Sequence, residues 1–161
     1  NVFAAASHIG VVDVMNGINR IRLKTEQDYY NSGVMLMDLE AARVLVQPEA
    51  IFQYVRDHEN ELLLPDQDVF NSLYGAQTLQ IDDALWNYDA RYYSGYLLRS
   101  GGAYHMDWVM QHTAILHFCG KRKPWKRSYA TRFAPLYKHY RQLAARSGAS
   151  FVSLSAPPFH G

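Results

Sequence analysis

Four short apolar runs along the chain predict β-strands, at residues 2–7, 34–39, 78–81 and 114–118. The second run is almost continuously apolar, which is typical of a strand buried on both faces. Asp38, Pro48 and Pro65 stand where helices are predicted to begin, because Asp caps helices and Pro suits their first turn. A last helix is predicted around residues 136–144, whereas residues 83–112 lack a clear period and predict long loops with one short helix.

Strands that alternate with helices predict an α/β fold with a mainly parallel sheet flanked by helices. The composition, 48% hydrophobic and 19% charged residues, is that of a globular chain and fits a single domain over residues 1–161. No apolar run approaches the ~18 residues of a membrane-spanning helix. The chain starts without Met and directly with a predicted strand. We therefore expect a fragment, with an exposed apolar face where missing strands would dock.

Charge and cysteine content exclude several classes of protein. The formal net charge is only +1, lower than that of a protein that coats nucleic acid. The single cysteine, Cys119, excludes a disulfide framework and a multi-cysteine zinc site.

The stretch from His117 to Arg127 combines a histidine, a glycine and a cluster of cations. Five of the eight residues in 120–127 are Lys or Arg. An imidazole at a strand end, the backbone N–H of Gly120 and the charge of Lys123 suit a phosphate-bearing ligand with a metal ion. A solvated basic turn after a packed histidine explains the pattern equally well. A nucleic-acid patch is a third interpretation, weakened by the near-neutral net charge.

Two further polar segments carry a structural and a functional interpretation. Asp66-Gln67-Asp68 begins a predicted helix. In the structural interpretation its carboxylates stand there because the helix dipole favours them. In the functional interpretation Asp66 and Gln67 lie in a polar cleft. Carboxylates two positions apart on a helix point to different faces, so they do not form the pair of a glycoside hydrolase, and Asp68 is predicted to cap or support the site. Asn31-Ser32-Gly33 is either a tight turn or a source of an amide for ligand hydroxyls. Trp86-Asn87 follows a strand, and its tryptophan is expected in the core.

Three of these segments, in this order, resemble glycosyltransferase family 8, whose members are metal-dependent, retaining transferases of nucleotide sugars with a GT-A fold. The segments read NSGVMLMDL at 31–39, LPDQDVFN at 64–71 and HFCGKRKPW at 117–125. The pair Trp86-Asn87 falls where the family often has it. The likeness spans at least residues 31–125 and implies a GT-A-like fold.

The resemblance also implies a role for each matching residue in the third segment. His117 matches a histidine ligand of Mn²⁺, or of Mg²⁺, that bridges the diphosphate of the donor. Gly120 and Lys123 match positions that hold the diphosphate.

Asn31, Asp66 and Gln67 match positions that contact the transferred sugar, and His8 falls near another such position with a weaker match. The resemblance places Asp66 and Gln67 at the reaction centre, with Gln67 on the face of the anomeric carbon where a nucleophile would stand. An amide is a poor nucleophile, so a front-face substitution assisted by the leaving phosphate is implied. We expect Asn31, Asp66, Gln67 and His117 to line one cleft at the carboxyl ends of the strands, with Lys123 reaching over it.

The sequence departs from the family pattern in its metal-binding motif. The family carries a DxD motif at a strand end upstream of the matched segments, and this chain offers no residues there. Asp66-Gln67-Asp68 has the letters of that motif but matches the later acceptor-side segment, so we do not assign it to the metal. We expect the chain to be the C-terminal portion of a family 8 enzyme without its nucleotide-binding half.

The predicted function is therefore transfer of a hexose from a nucleotide sugar, UDP-linked, to a saccharide or glycan acceptor. The predicted partners are that donor and acceptor, with no nucleic acid and no transmembrane segment. The predicted localisation is cytoplasmic, with contact at the inner face of the membrane left open. The alternative is a non-catalytic carbohydrate- or nucleic-acid-binding module that uses residues 117–127. A phosphatase or hydrolase is disfavoured, because neither a nucleophile motif nor a carboxylate pair is present.

Overall fold

The computed structural model describes residues 1–7 and 14–147, which fall into two units, residues 1–119 and residues 120–161. The single-domain assignment stays a prediction. No helix among the described residues combines the length and the apolar composition needed to cross a bilayer.

The first unit contains a three-stranded sheet of β1 (Phe3–Ser7), β2 (Tyr30–Met37) and β3 (Thr78–Gln80), in the order β2-β1-β3. Strands β1 and β3 are parallel, whereas β1 and β2 are antiparallel and place Ser7 opposite Tyr30. The amino end of β2 therefore lies beside the carboxyl end of β1. Asn31-Ser32-Gly33 belongs to β2 itself and is not a turn that precedes it.

The core lies between one face of this sheet and the helix α4 (Pro65–Tyr74). Phe3 and Phe70 meet edge to face with ring centroids 5.4 Å apart, a favourable geometry for aromatic pairs. The helices α2 (Leu39–Leu45) and α3 (Pro48–Asp57) add partly buried apolar side chains to the same cluster. The core thereby fixes α4 across the start of β2, where the candidate site residues lie.

The predicted helix starts are confirmed. The carboxylate of Asp38 accepts hydrogen bonds from the backbone N–H groups of Glu40 and Ala41, both at 3.1 Å, and so caps α2. Pro48 and Pro65 occupy the first turns of α3 and α4. These starts depend only on neighbouring residues, which is why the sequence shows them.

The other face of the sheet exposes an apolar row. Leu36 of β2 and Leu79 of β3 both lie opposite Ala4 of β1 and are 73% and 52% exposed. The prediction that residues 34–39 are buried on both faces is therefore wrong, because only one face of β2 packs against helices. This face thus exposes apolar side chains at Leu36 and Leu79, and the docking of further strands there stays a prediction.

Residues 83–112 are more regular than predicted. They form α5 (Asp83–Trp86), β4 (Tyr88–Asp89), α6 (Tyr93–Arg99) and α7 (Met106–His112). Helices of four to seven residues are too short for an apolar period to appear, so the prediction of long loops is wrong.

The fourth predicted strand, β5 (Leu116–His117), pairs with β4 in a separate two-stranded sheet. This pairing is parallel and sets His117 opposite Asp89. Within the described residues, two of the three strand pairings are thus parallel, as predicted, but the strands form two sheets and not one.

Among the described residues, the remaining α-helices are α1 (Val14–Leu23) in the first unit and α8 (Ala134–Arg146) in the second, and a short 3₁₀ helix (Gly75–Gln77) follows α4. Gly120 opens the second unit with a φ of +75°, a left-handed conformation that favours glycine. A backbone conformation that favours glycine therefore follows β5 at this position.

Candidate active site

Four polar side chains from distant parts of the first unit form one hydrogen-bonded series, which we call the His117 series. The amide of Asn31 donates to Oε1 of Gln67 at 3.1 Å, and the amide of Asn87 donates to Oδ1 of Asn31 at 3.0 Å. Nδ1 of His117 lies 2.8 Å from Oδ1 of Asn87. The structure therefore brings Asn31, Gln67 and His117 together, but Asn31 lies near the amino end of β2 and not at the carboxyl end of a strand as predicted. That these residues line a ligand cleft stays a prediction.

Backbone N–H groups of β2 determine the orientation of the side-chain amides of Asn31 and Gln67. The N–H of Gly33 donates to Oδ1 of Asn31 at 3.1 Å, and the N–H of Ser32 donates to Oε1 of Gln67 at 3.4 Å. Because a backbone N–H can only donate, both side-chain atoms are carbonyl oxygens. The two NH₂ groups are then donors in known directions.

This orientation determines the tautomer of His117. Oδ1 of Asn31 accepts from the NH₂ group of Asn87, so the amide oxygen of Asn87 faces Nδ1 of His117. An amide oxygen accepts only, so Nδ1 carries a proton. In the neutral imidazole the lone pair then lies on Nε2, the nitrogen that suits a metal ion, and a hydrogen bond from the other ring nitrogen is usual for metal-binding histidines.

Gly33 makes room for the imidazole of His117. A Cβ at residue 33 would overlap Cε1 of His117 and would stand 3.0 Å from Oδ1 of Asn31. Glycine is therefore required by close approach and not by a turn. The sequence contains this glycine but does not show which ring lies over it.

Replacing Gly33 with alanine is expected to displace the His117 ring and to destabilise the chain by about 1–3 kcal/mol through overpacking. Urea unfolding measures the stability, and the imidazole signals in NMR report the ring. Gly17→Ala is the matched control, because a Cβ there meets nothing within 4 Å and the site is helical. The control should be neutral or more stable by up to about 1 kcal/mol, since alanine favours helix. Equal effects of the two variants would contradict the role of Gly33.

Asp66 lies beside the His117 series on the first turn of α4. Its carboxylate accepts a hydrogen bond from the hydroxyl of Ser32 at 3.1 Å and is exposed. The position also places negative charge at the amino end of α4, where the helix dipole favours it. The structure thus joins Asp66 to the same stretch of β2 as Asn31 and Gln67.

Asp68 supports the site from the interior. It is fully buried and forms a two-point ion pair with Arg22, with nitrogen–oxygen distances of 2.7 and 2.9 Å. The carboxylate also accepts from the hydroxyl of Tyr29 and from the backbone N–H groups of Leu63 and Leu64. These contacts connect α1 and the residue before β2 to the turn that precedes α4. The prediction of a supporting role for Asp68 fits these contacts.

The electrostatics of this cluster keep Asp68 ionised. Burial alone would raise the pKa of Asp68, but the hydrogen bonds from Arg22, Tyr29 and the backbone lower that pKa below its ordinary value. The pKa of Tyr29 is raised, first by burial and then by its hydrogen bond to Asp68. Tyr29 therefore stays protonated and remains a donor.

Two side-chain anchors complete the geometry: Asn71, which sequence reasoning missed, and Asn87, which it noted without assigning a role. The buried amide of Asn71 accepts from the N–H of Tyr30 at 2.6 Å and donates to its carbonyl at 2.8 Å, which holds the start of β2 against α4. Asn87 is fully buried, whereas Trp86, which was expected in the core, is 48% exposed. The signal for Asn87 was its place after a strand, but nothing in the sequence shows its partners.

His117 by itself can supply one ligand to a metal ion. Among the residues that the structure describes, no three or more His, Cys, Asp or Glu side chains are grouped so as to hold a metal. The carboxylate of Asp68 is engaged by Arg22, Tyr29 and the backbone. The assignment of Asp66-Gln67-Asp68 to a role other than metal binding stays a prediction.

The other predicted site residues are not tested. Gly120 and Lys123 belong to the second unit, where the ammonium of Lys123 lies 5.8 Å from the centroid of the Trp125 ring. Their role at a diphosphate stays a prediction. His8 lies outside the described residues.

The fold is similar to that of solved glycosyltransferases. The structure of the galactosyltransferase LgtC in complex with donor and acceptor sugar analogs matches with a TM-score of 0.66 at 21% identity, over 99% of this chain and 54% of that one. An active-site mutant of LgtC matches with a TM-score of 0.67 at 19% identity, over 89% of this chain and 52% of that one. The predicted GT-A-like fold is confirmed.

The chain belongs to the glycosyl transferase family 8, which matches residues 12–128. General stress protein A of Bacillus subtilis (strain 168) is 30% identical over 118 residues, which are 70% of this chain and 40% of that protein. The chain thus spans about half the length of the solved relatives and less than half of the stress protein.

Proposed function

We propose that the whole protein is a retaining, metal-dependent glycosyltransferase that moves a hexose from a UDP-sugar to a saccharide acceptor. The observation that carries this proposal is the His117 series, which holds an imidazole with its lone pair on Nε2 and the amide of Gln67 in one arrangement. Membership of glycosyl transferase family 8 supports the same class of activity.

In this proposal Nε2 of His117 is one ligand of Mn²⁺, or of Mg²⁺, and further ligands come from outside the described residues. A bound divalent ion would offset the charge of the diphosphate leaving group. Asn87 holds the imidazole in the tautomer that leaves Nε2 able to bind metal. Gly120 and Lys123 contribute a backbone N–H and a positive charge to the diphosphate.

Gln67 acts by position and not as a nucleophile. Its carbonyl oxygen is held by the amide of Asn31 and the N–H of Ser32, so the side chain presents a fixed dipole beside the proposed sugar position. An amide oxygen is a weak nucleophile, which favours a front-face substitution assisted by the departing phosphate. Asp66 and Asn31 then hydrogen-bond hydroxyls of the transferred sugar.

Replacing Gln67 with alanine in the whole protein is expected to lower kcat about 10²-fold and to leave nucleotide binding nearly unchanged, because its place is at the sugar and not at the diphosphate. Release of UDP from a series of UDP-hexoses measures turnover, and calorimetry with UDP and Mn²⁺ measures nucleotide binding. Gln53→Ala on the exposed face of α3 is the matched control and should change neither.

Two results would contradict the proposal. Loss of UDP binding in the Gln67→Ala variant would place this residue at the nucleotide. A protein that releases no UDP from any of these donors but binds oligonucleotides, with affinity that falls steeply with salt, would be the binding module of the alternative interpretation.

A further inference from the structure

One residue of β2, Ser32, contacts two of the side chains that the proposed function places beside the transferred sugar. Its hydroxyl donates to Oδ2 of Asp66 at 3.1 Å, and its backbone N–H donates to Oε1 of Gln67 at 3.4 Å. A substitution to alanine removes the hydroxyl and keeps the N–H. Replacing Ser32 therefore separates the contact with Asp66 from the contact with Gln67.

The carboxylate of Asp66 has little else to fix its direction. It is exposed on the first turn of α4, and the Ser32 hydroxyl is the one hydrogen-bond donor that the described residues supply to it. An exposed aspartate without such a bond samples several staggered rotamers about its Cα–Cβ bond. Because a hydrogen bond to an ionised oxygen is stronger than one between neutral groups, the Ser32 hydroxyl favours one of these rotamers.

A buried contact holds Ser32 and Asp66 at this separation. The amide of Asn71, on the same helix as Asp66, accepts from the N–H of Tyr30 and donates to its carbonyl, two residues before Ser32. This double hydrogen bond does not involve the Ser32 hydroxyl. Removing the hydroxyl should therefore release the carboxylate and leave β2 and α4 in place.

We propose that Ser32 is a positioning residue that orients the carboxylate of Asp66 and thereby decides which hexose the protein accepts. The inference rests on the proposed function, because it assumes that hydroxyls of the transferred sugar donate to Asp66. Such a hydrogen bond needs an oxygen–oxygen distance of about 2.5–3.0 Å and a favourable angle. Two epimers direct one hydroxyl differently, so a carboxylate held in one rotamer suits only one of them. A carboxylate that rotates freely can follow either.

The competing interpretation is that the bond from Ser32 to Asp66 only fastens β2 to α4. The buried amide of Asn71 already makes that connection, and an exposed hydrogen bond adds little to it. A bond that only fastens the two elements would affect the reaction with every donor equally. A bond that orients a sugar ligand changes the preference among donors.

Turnover of UDP-hexoses that differ at one carbon, such as UDP-glucose and UDP-galactose, tests this role in the whole protein. We expect Ser32→Ala to lower the ratio of kcat/KM between the best donor and its epimers about tenfold, with UDP affinity nearly unchanged. Ser32→Thr keeps a hydroxyl and should restore that ratio to within about threefold of the unaltered protein. Ser94→Ala, at an exposed position of α6, is the matched control and should change neither quantity.

Combining Ser32→Ala with Asp66→Ala shows whether Ser32 acts through Asp66. In the Asp66→Ala background the hydroxyl has no carboxylate to orient. Its removal should then change kcat/KM by less than about twofold, whereas the effects of independent residues would add. A further loss as large as that seen with Asp66 present would contradict the positioning role.

NMR measures the orientation of Asp66 without any donor. Three-bond couplings between the Cα and Cβ hydrogens of Asp66 should indicate one rotamer in the unaltered protein and averaging in Ser32→Ala. The melting temperature of Ser32→Ala should stay within about 4 °C of that of the unaltered protein, which shows that the variant is folded.

Two further results would overturn the proposal. The first is an averaged rotamer of Asp66 in the unaltered protein, which contradicts the orientation by Ser32. The second is an equal loss of rate with every donor in Ser32→Ala, which supports the fastening role. A protein that turns over no UDP-hexose would contradict the proposed function and the selectivity derived from it. The NMR couplings would then still decide the orientation of Asp66, so the two failures are distinguishable.

Discussion

Replacing His117 with alanine in the whole protein is expected to lower kcat/KM for a UDP-sugar by about 10²–10³-fold. The variant loses the nitrogen proposed to bind the metal, so metal and UDP affinity should fall together. Calorimetry with UDP at several Mn²⁺ concentrations measures this coupling. The loss should exceed that of any other single replacement in the His117 series, because the other members act through hydrogen bonds.

Two further variants make this result specific. His112→Ala is the matched control, because this histidine is exposed on α7 and its ring contacts the carbonyl of Trp108. Asn87→Ala removes the acceptor that sets the tautomer of His117 and should weaken metal affinity about 10–100-fold, as loss of such hydrogen bonds does. Metal dependence that is unchanged in His117→Ala would refute the assignment of this histidine.

Replacing Arg22 with alanine is expected to destabilise the chain by about 3–5 kcal/mol at neutral pH. The change leaves the carboxylate of Asp68 buried without its ion-pair partner, while the desolvation of that carboxylate remains. Urea unfolding measures the loss. Arg20→Ala is the matched control on the same helix. Its nitrogen lies 4.0 Å from Asp28 at a partly exposed site, and its loss should cost less than about 1 kcal/mol.

The pH dependence of stability gives an independent check on the same pair. The pKa of Asp68 is lower in the folded chain than in the unfolded one. Its contribution is therefore present above the ordinary Asp pKa of about 3.9 and is lost as pH falls through the lower folded pKa. Arg22→Ala should flatten this part of the stability curve. A curve as steep as that of the unaltered chain, or a cost no larger than that of Arg20→Ala, would contradict the anchoring role of Arg22.

Predictions from the sequence succeeded where the signal is local. The beginnings of α2, α3 and α4 follow from Asp38, Pro48 and Pro65, and all three are observed. Strand positions also follow from short apolar runs. The sequence did not predict strand direction or the division into two sheets, because a hydrophobic run looks the same in parallel and in antiparallel pairing. The strand β2, which is antiparallel to β1, is the example.

For the candidate site, too, the sequence predicted some features and not others. Asn31, Gln67 and His117 were selected from three segments and a family resemblance, and the structure brings them together. The sequence did not indicate the direction of their hydrogen bonds or the ring over Gly33. These depend on which backbone N–H faces which oxygen, a property of packed strands and not of residue order.

The sequence by itself determined which residue types are present, where most elements begin and the order of the three matching segments. The tertiary structure alone decided that Asp68 pairs with Arg22, 46 positions away, and that Asn87 joins Asn31, 56 positions away. Local propensities act over a few residues, through caps and side-chain periodicity. Hydrogen bonds across such separations exist only once strand register and helix packing bring the donor and acceptor within about 3 Å of each other.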